Sequence, residues 1–365
     1  MTLSNLSTYS THDDGYQSLQ PDQGNSMRAA QFDNPGDPSV LYVGRVAIPV
    51  LKTREVLLQV KASAINRADT LQRRGRYDPP PGASSILGLE AAGIIHTVGP
   101  NCQSKWKAGD RVMALLPGGG NAEYTAVHED HLMPIGKLKW DEAAAIPEVW
   151  LTAYQLLHFV GHMKRNDTVL IHSGGSGIGT AAVQLVKLAG GHPIVTAGSE
   201  TKLAKAISLG AEAGFNYKQE DFAHAVLRHT KGKGVNIILD CVGGSHADKN
   251  LQAIALDGQW VLYGLLGGGT VEGPFLAKLL KKRVKLSATT LRARSTEYKT
   301  ELVKEFSRKA LPFFESTTGL VKLKAIIDKV FLLEKIGEAH QYMEDNKTVG
   351  KVVIKVCHID SHVEL

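Results

Sequence analysis

From Met27 onward the chain carries two textures of apolar and polar positions. Val56-Leu57-Leu58-Gln59-Val60-Lys61-Ala62 mixes β-branched and apolar residues as a strand does, and Ile86 to Gly99 and Asp110 to Leu116 read likewise. Gly, Pro and Asn separate these runs. Pro79-Pro80-Pro81-Gly82 predicts an irregular loop, because successive prolines lock φ and supply no N–H donors. Near Pro147 the period changes. Trp150 to Val160 predicts a helix and Thr168 to His172 a buried strand. Helix Thr180–Ala189, strand Pro193–Ala197, helix Lys202–Leu209 and strands Ile237–Asp240 and Trp260–Tyr263 follow. Strands alternating with helices in this way indicate an α/β unit with a doubly wound parallel sheet. Lys329 to Val356 returns to a strand-rich texture. The expected organisation is therefore a β-rich domain over residues 27–148, a nucleotide-binding domain over 149–310, and a return segment over 311–358 that completes the first.

Composition agrees with that division and removes several classes. A chain of 365 residues is long enough for two domains. With 43% hydrophobic and 21% charged residues it is globular rather than fibrous or disordered. No run approaches the roughly 18 apolar residues of a membrane span. Cys102, Cys241 and Cys357 are too few and too scattered for a disulfide framework or a zinc ribbon, which suits a reducing, cytoplasmic location. Residues 1–26 carry eight Ser or Thr, three Asp and no Lys or Arg. They lack the Arg of a mitochondrial presequence and the apolar core of a secretory signal, so a disordered tail is expected. A second tail, residues 359–365, ends in His362-Val363-Glu364-Leu365. Without an entry signal, its likeness to a retrieval tetrapeptide reads as coincidence. The whole chain is +6; without the first tail, 42 bases face 33 acids, leaving the remainder at +9.

Part of that excess has a place in the nucleotide-binding segment. Val169-Leu-Ile-His-Ser-Gly174-Gly175-Ser176-Gly177-Ile178-Gly179 reads as strand, Gly-rich turn and helix. Small residues there let backbone approach a pyrophosphate, and the helix N-terminus supplies free N–H groups and a positive dipole. Gly174 and Gly179 hold the outer positions of G-x-G-x-x-G, while Ser176 replaces the middle glycine. An NAD-specific site wants a carboxylate about 20 residues further on. This chain has Ala197-Gly198-Ser199 there, with Lys202 one helical step later. A small residue, a hydroxyl and a cation make room for a 2′-phosphate, so NADPH is expected over NADH.

Other chemistries lose their residues. Where zinc alcohol dehydrogenases place a Cys before an Asp, the chain has Asn66-Arg67-Ala68-Asp69, and where they place Gly-His-Glu it has Gly88-Leu89-Glu90. No metal is expected. His158 and His162 stand four apart without the Glu of H-E-x-x-H. Ser176 lacks the frame of a hydrolase elbow. Lys278, Lys281, Lys282, Arg283 and Lys285 have no interleaved aromatics, so a solvated face is expected rather than a nucleic-acid stripe. An NADPH-holding protein that contacts RNA there is the remaining non-enzymatic reading.

Five motifs occur together in order: Asn66-Arg-Ala-Asp69, Arg76-Tyr77-Asp-Pro-Pro-Pro-Gly82, Leu116-Pro-Gly-Gly-Gly120, Ile146-Pro-Glu-Val-Trp-Leu-Thr152 and Ser173-Gly-Gly-Ser-Gly-Ile-Gly179. In these the chain resembles the zinc-free quinone oxidoreductases of the medium-chain dehydrogenase/reductase superfamily, over Met27 to about Lys355. The resemblance implies a Rossmann domain inserted in a GroES-like catalytic domain, and a homodimer joined edge to edge through the Rossmann sheets, here by Trp260 to Leu265. It implies that Ser176, Gly177 and Ile178 hold the pyrophosphate, and that Ser199, Lys202 and Tyr217 surround the 2′-phosphate, with added charge from Lys351. Cys241 would line the ribose as a packing residue. Asn66, Tyr77, Thr152 and Leu265 would sit by the nicotinamide, with Asn66 and Tyr77 as the catalytic pair. The apolar loop at Leu116 and flexible glycines at 118–120 would wall the pocket. The implied reaction is hydride transfer from NADPH to a quinone, with Tyr77 either donating to the developing oxyanion or only stacking on the cofactor. Reduction of an enone or alkenal double bond is the enzymatic alternative.

Overall fold

The computed structural model describes residues 25–316 and 322–356. Both predicted tails lie almost wholly outside these residues, and so does Cys357. One half is a six-stranded parallel sheet of Thr168–Ile171, His192–Ala197, Ala213–Asn216, Val235–Asp240, Ile254–Leu262 and Lys285–Ala288. Across the sheet these strands lie in the order third, second, first, fourth, fifth, sixth. The order reverses beside Thr168–Ile171, the kind of point at which open parallel sheets take ligands at their strand ends.

Helices cover both faces, which explains the unbroken apolar runs of these strands. Val169, Ile171, Ile237 and Leu239 pack into one buried cluster, with Ala182, Val183 and Val186 of the helix Gly177–Leu188. Leu170 and Ile238 point the other way, against Phe222, Val226 and Trp260. The alternation is the period of two expected of a strand.

The other half is a seven-stranded mixed sheet. Its main path runs Ile327–Leu332, Lys351–Lys355, Glu55–Ile65, Glu90–Val98, Arg111–Leu115 and Leu132–Pro134, with Tyr124–His128 also paired to Glu55–Ile65. The return segment supplies the first two of these, and Val352 lies opposite Ile65 in antiparallel register. The chain thus forms a Rossmann doubly wound sheet inserted in a β-rich, GroES-like domain. Among the described residues no helix is long and apolar enough to cross a membrane.

Several expectations need correction. The return segment is not purely strand: Ile336–Glu344 is a helix burying Ile336, Ala339, His340 and Met343, a helical spacing hidden between two strands. The helix expected from Trp150 begins at Pro147, where proline suits the first turn, and its last six residues, Gln155–Val160, widen into a π-helix. Folded structure begins with the strand Ser26–Gln31, just inside the predicted tail. Trp260–Leu262 is no edge, since Lys285–Ala288 pairs along its outer side.

The glycines 118–120 are buried and bonded rather than flexible. Gly119 and Gly120 donate to the carbonyls of Ile86 and Gly88 at 2.7 and 3.0 Å. A Cβ on Gly88 would stand 2.7 Å from Gly120 Cα, so the close backbone approach is what requires glycine. Gly88 at φ 107° interrupts the strand predicted from Ile86, which begins instead at Glu90. Leu116 is buried in the core of the β-rich domain, not on a pocket wall.

Candidate active site

The candidate site has two ends, a phosphate end at the glycine loop and a chemical end at a cluster of buried charges. At the phosphate end the chain leaves Thr168–Ile171, turns through Ser173 at φ 57°, and enters the helix at Gly177. The glycines leave a cradle that side chains would fill. A Cβ on Gly174 would meet Val195 at 2.6 Å, one on Gly175 the stem of Lys202 at 2.7 Å, and one on Gly177 the stem of Lys351 at 2.7 Å. Ser176 caps the helix, its Oγ accepting from Gly179 N at 3.0 Å, so its hydroxyl proton stays free to donate. Ile178 follows in the first turn. This bare backbone at a helix N-terminus fits a pyrophosphate.

Ser199 caps the next helix, accepting from Lys202 N. Tyr217 closes over Gly198, where a Cβ would lie 2.7 Å from its hydroxyl. Lys202 Nζ donates to Asn346 O at 2.6 Å and to Asn346 Oδ1 at 3.1 Å. Burial lowers the Lys202 pKa, and Lys218 and Arg67 push it further down. Three cations therefore converge where the sequence analysis placed a 2′-phosphate, and two of them, Arg67 and Lys218, it had not assigned. Lys351 does not join them. Its Nζ turns inward to Ile65 O at 2.8 Å, Asn66 Oδ1 at 2.6 Å and Glu90 Oε1 at 2.8 Å.

That ammonium anchors the chemical end instead. Asn66 donates through Nδ2 to Glu90 Oε1 at 2.9 Å and to Ala64 O at 3.3 Å, so both its polar atoms are engaged within the protein. The other Glu90 oxygen accepts from Glu148 N at 2.8 Å and fixes the start of the helix Pro147–Tyr154. Asp69 is fully buried and accepts from Asn66 N and Gly88 N at 2.7 and 2.9 Å. Burial outweighs these donors and raises its pKa to about 6. Burial, with Glu90 next in effect, raises Glu148 to about 8 against the pull of Lys351 and Lys299. Glu148 nevertheless keeps part of its surface open.

Tyr77 stands half-buried across this group. Arg292 Cζ lies 5.5 Å from its ring centroid. Burial and then Glu148 raise the phenol pKa, while Arg292 opposes them. Arg292 is 4% exposed; its Nε donates to Pro117 O at 2.8 Å, and Nη1 and Nη2 have no hydrogen-bond partner among the described residues. Lys299 Nζ donates to Arg292 O at 2.7 Å. Thr152 is buried one turn after Glu148, and Leu265 is 56% exposed in the loop beyond Leu262.

Cys241 is buried and donates to Ser173 Oγ at 3.2 Å; burial raises its thiol pKa, which suits packing rather than nucleophilic attack. His162, at φ 47°, lies past the helical segment that carries His158, so the two do not share a helix face. Among the described residues no three His, Cys, Asp or Glu side chains gather as a metal site. In the basic cluster, Lys278 pairs with Asp248, Arg283 with Asp257 at 2.6 Å, and Lys282 donates to the carbonyls of Gln252 and Ile254.

Glu148, Arg292 and Lys299 escaped the sequence analysis. Glu148 had one signal, a lone acid within the apolar run Ala143 to Leu151. Arg292 and Lys299 had none, because they arrive from beyond the last strand of the parallel sheet.

Comparison with known proteins agrees with this architecture. Residues 52–137 match the alcohol dehydrogenase GroES-like domain family and residues 177–308 the zinc-binding dehydrogenase family. A probable quinone oxidoreductase of Schizosaccharomyces pombe is 31% identical over 336 residues, covering 90% of this chain and 97% of that protein. A synaptic vesicle membrane protein VAT-1 homolog of Danio rerio is 30% identical over 321 residues; the match covers 84% of this chain and 65% of that longer relative. Among solved structures, an NAD-dependent alcohol dehydrogenase superposes with a TM-score of 0.79 at 30% identity, over 91% of this chain and all of that one. A mycobacterial protein complexed with NADPH gives 0.78 at 28%, over 90% and 99%. The CurK enoyl reductase gives 0.79 at 27%, over 91% and 100%. With both domains matched in order and a quinone oxidoreductase aligned over nearly its whole length, the chain belongs to the quinone oxidoreductase-like members of the medium-chain dehydrogenase/reductase family.

Proposed function

We propose that the protein is an NADPH-dependent quinone oxidoreductase that works without zinc. One observation carries the reading of the chemistry: the positions around Asn66 and Glu90 form a closed network in which Lys351 fills the space between them. An ammonium there repels a divalent ion, and Asn66, Leu89 and Glu90 offer no soft ligand set. The acceptor must then be electrophilic already, as a quinone or another conjugated carbonyl is. When bound, the reduced nicotinamide supplies hydride. The chain's own residues hold the phosphates, exclude water and manage the oxygen of the acceptor. In this reading Tyr77 donates to that oxygen as negative charge develops on it and passes on a proton. Asn66 keeps the floor of the site in place through Glu90 and Lys351.

The choice of cofactor rests on this chain's residues, since one structural neighbour is described as NAD-dependent and another holds NADPH. The second parallel strand ends in Ala197-Gly198-Ser199 with Lys202, Lys218 and Arg67 around it, a positive pocket for an extra phosphate. Reduction of an enone double bond is the second reading, favoured by the likeness to an enoyl reductase. A homodimer is proposed through the outer edge strand Lys285–Ala288. Leu286 on that strand is 40% exposed, and Leu276 and Leu280 on the preceding helix Phe275–Lys282 are 76% and 77% exposed. The deciding experiment follows NADPH oxidation against a panel of quinones and enones, with NADH as control. Turnover with quinones and NADPH supports the reading; turnover with enones alone moves it to the alternative, and none with either overturns it.

A further inference from the structure

Beneath the phosphate loop runs a chain of hydrogen bonds between buried side chains that the reading above leaves unused. His172 follows the first parallel strand and immediately precedes Ser173 of the loop. Its Nδ1 lies 2.8 Å from Thr196 Oγ1 and its Nε2 lies 2.7 Å from Asn250 Oδ1. Asn250 Nδ2 and Trp260 Nε1 each donate to Asp240 Oδ2 at 3.0 Å. The other oxygen of Asp240 accepts from Val242 N at 2.7 Å and Gly243 N at 3.0 Å. His172, Thr196, Asp240, Asn250 and Trp260 are all buried.

These partners allow one arrangement of protons. Val242 N, Gly243 N and Trp260 Nε1 can only donate, so the Asp240 carboxylate accepts from all three. Facing that carboxylate, the Asn250 amide turns its nitrogen to Asp240 and its oxygen to His172. The amide oxygen needs a donor, so His172 carries its proton on Nε2 and leaves Nδ1 bare. The bare nitrogen needs a donor in turn, and the Thr196 hydroxyl supplies it. Burial lowers the His172 pKa against the pull of Asp240, which keeps the ring neutral and this tautomer in place.

Both ends of the chain reach backbone at the candidate cofactor site. At one end, Thr196 O accepts from Gly174 N of the phosphate loop at 2.9 Å, and Ala197, Gly198 and Ser199 follow directly. At the other, Val242 O accepts from Gly267 N at 2.7 Å, and Gly244 N donates to Gly268 O at 2.8 Å. The turn that Asp240 holds therefore carries the loop containing Leu265.

Resting on the cofactor reading above, we propose that His172 is a positioning residue for the nicotinamide cofactor, fixing the phosphate loop through Thr196 and the Leu265 loop through Asn250 and Asp240. It acts through these partners and not by contact with the cofactor. A fully paired polar chain with a single direction is rigid, and rigid supporting residues are what hold a binding geometry. Breaking one link leaves a buried donor or acceptor unpaired. Gln can replace the imidazole in kind, since its amide donates to Asn250 Oδ1 and accepts from Thr196 Oγ1 at once.

Cofactor binding by full-chain variants, followed by the fluorescence of NADPH and NADH without acceptor, tests this. Thr196→Val removes the hydroxyl at nearly equal shape and should weaken both cofactors equally, by about tenfold, because the pyrophosphate is common to them. Thr196→Ser and His172→Gln preserve the direction of the chain and should bind as wild type does. Val226→Ala opens a cavity in the same core away from the chain; it should lower Tm and leave both affinities unchanged, which separates positioning from loss of stability. Nitrogen NMR of histidine-labelled wild type should show His172 protonated on Nε2 and bare on Nδ1, with and without NADPH. Unchanged affinity in Thr196→Val overturns the proposal, as does an equal loss in Thr196→Ser, His172→Gln or Val226→Ala, or a proton on Nδ1. Should Thr196→Val fail to fold, His172→Gln and the wild-type spectrum still decide it. Because the readout is binding and not turnover, failure of the quinone assay leaves this inference standing; a wild type that binds neither cofactor overturns both.

Discussion

The two ends of the candidate site are built on opposite principles. The phosphate end is mainly local: residues 173–179 supply the cradle and Ser199 and Lys202 the first polar contacts, all within two adjacent strand–helix units. Its polar groups are backbone N–H and partly exposed side chains. The chemical end is assembled from six distant places, Asn66, Tyr77, Glu90, Glu148, Arg292 and Lys351, and most of its charges are buried. Local geometry gives recognition that tolerates change. A buried cluster gives chemistry in which each charge depends on the others, because an unpaired one there is costly.

Removing one partner of the buried pair should separate the ends most sharply. Lys351→Met leaves Glu90 without its cation and should lower stability by about 3–5 kcal/mol in chemical denaturation. Lys202→Met at the phosphate end should change stability by less than about 1 kcal/mol. Equal losses would erase the distinction.

Next in size, Tyr77→Phe should lower kcat/KM for quinone about 100-fold with NADPH affinity held. An unchanged kcat/KM would leave Tyr77 as a stacking residue and return the oxyanion to another donor.

At the other end, Lys202→Glu should raise KM for NADPH roughly tenfold or more and leave KM for NADH nearly unchanged. An equal rise for both cofactors would remove Lys202 from the 2′-phosphate pocket.

The last effect spans the whole molecule. Burial lowers the pKa of His131, His158 and His246 to about 4 and of His340 to about 3, and lowers His172 as well. Their unfolded values lie near 6.5, so between there and about pH 4 the unfolded chain binds protons that the folded one refuses. The stability they contribute is present above pH 6.5 and is lost as pH falls. Glu148 and Asp69, raised, work the other way, but five histidines outnumber two carboxyls. Tm should therefore drop between pH 6.5 and 4, by roughly 2 °C for each kcal/mol lost. A flat or rising Tm would mean that the acid cluster dominates.

The same contrast explains what could be read before the structure. The glycine loop, the absent carboxylate and Lys202 sit in register along a strand–turn–helix pattern, so spacing alone located them. Glu148 stood in view inside a motif, yet its place in the site depends on Glu90, 58 positions away, whose carboxylate holds its backbone. Lys351 was noticed for its charge but assigned to the wrong end, because its direction is set by the bonds of its ammonium to Ile65 O, Asn66 and Glu90, nearly 300 positions away, and not by its neighbours in sequence. The helix Ile336–Glu344 was hidden for a plainer reason: it is short and flanked by strands, so no long helical period announces it.

One contact between the halves bears on how the protein is made. Gly350 N donates to Gly175 O at 2.9 Å, and Ser176 bridges Gly350 as a strand would. The phosphate loop is thus finished by a residue that leaves the ribosome some 170 positions after the loop itself. The nucleotide-binding sheet can fold during synthesis, but its loop stays unfinished until Gly350 has emerged. A cofactor held by that loop cannot therefore serve as an early folding template; it would bind only once the two halves have met.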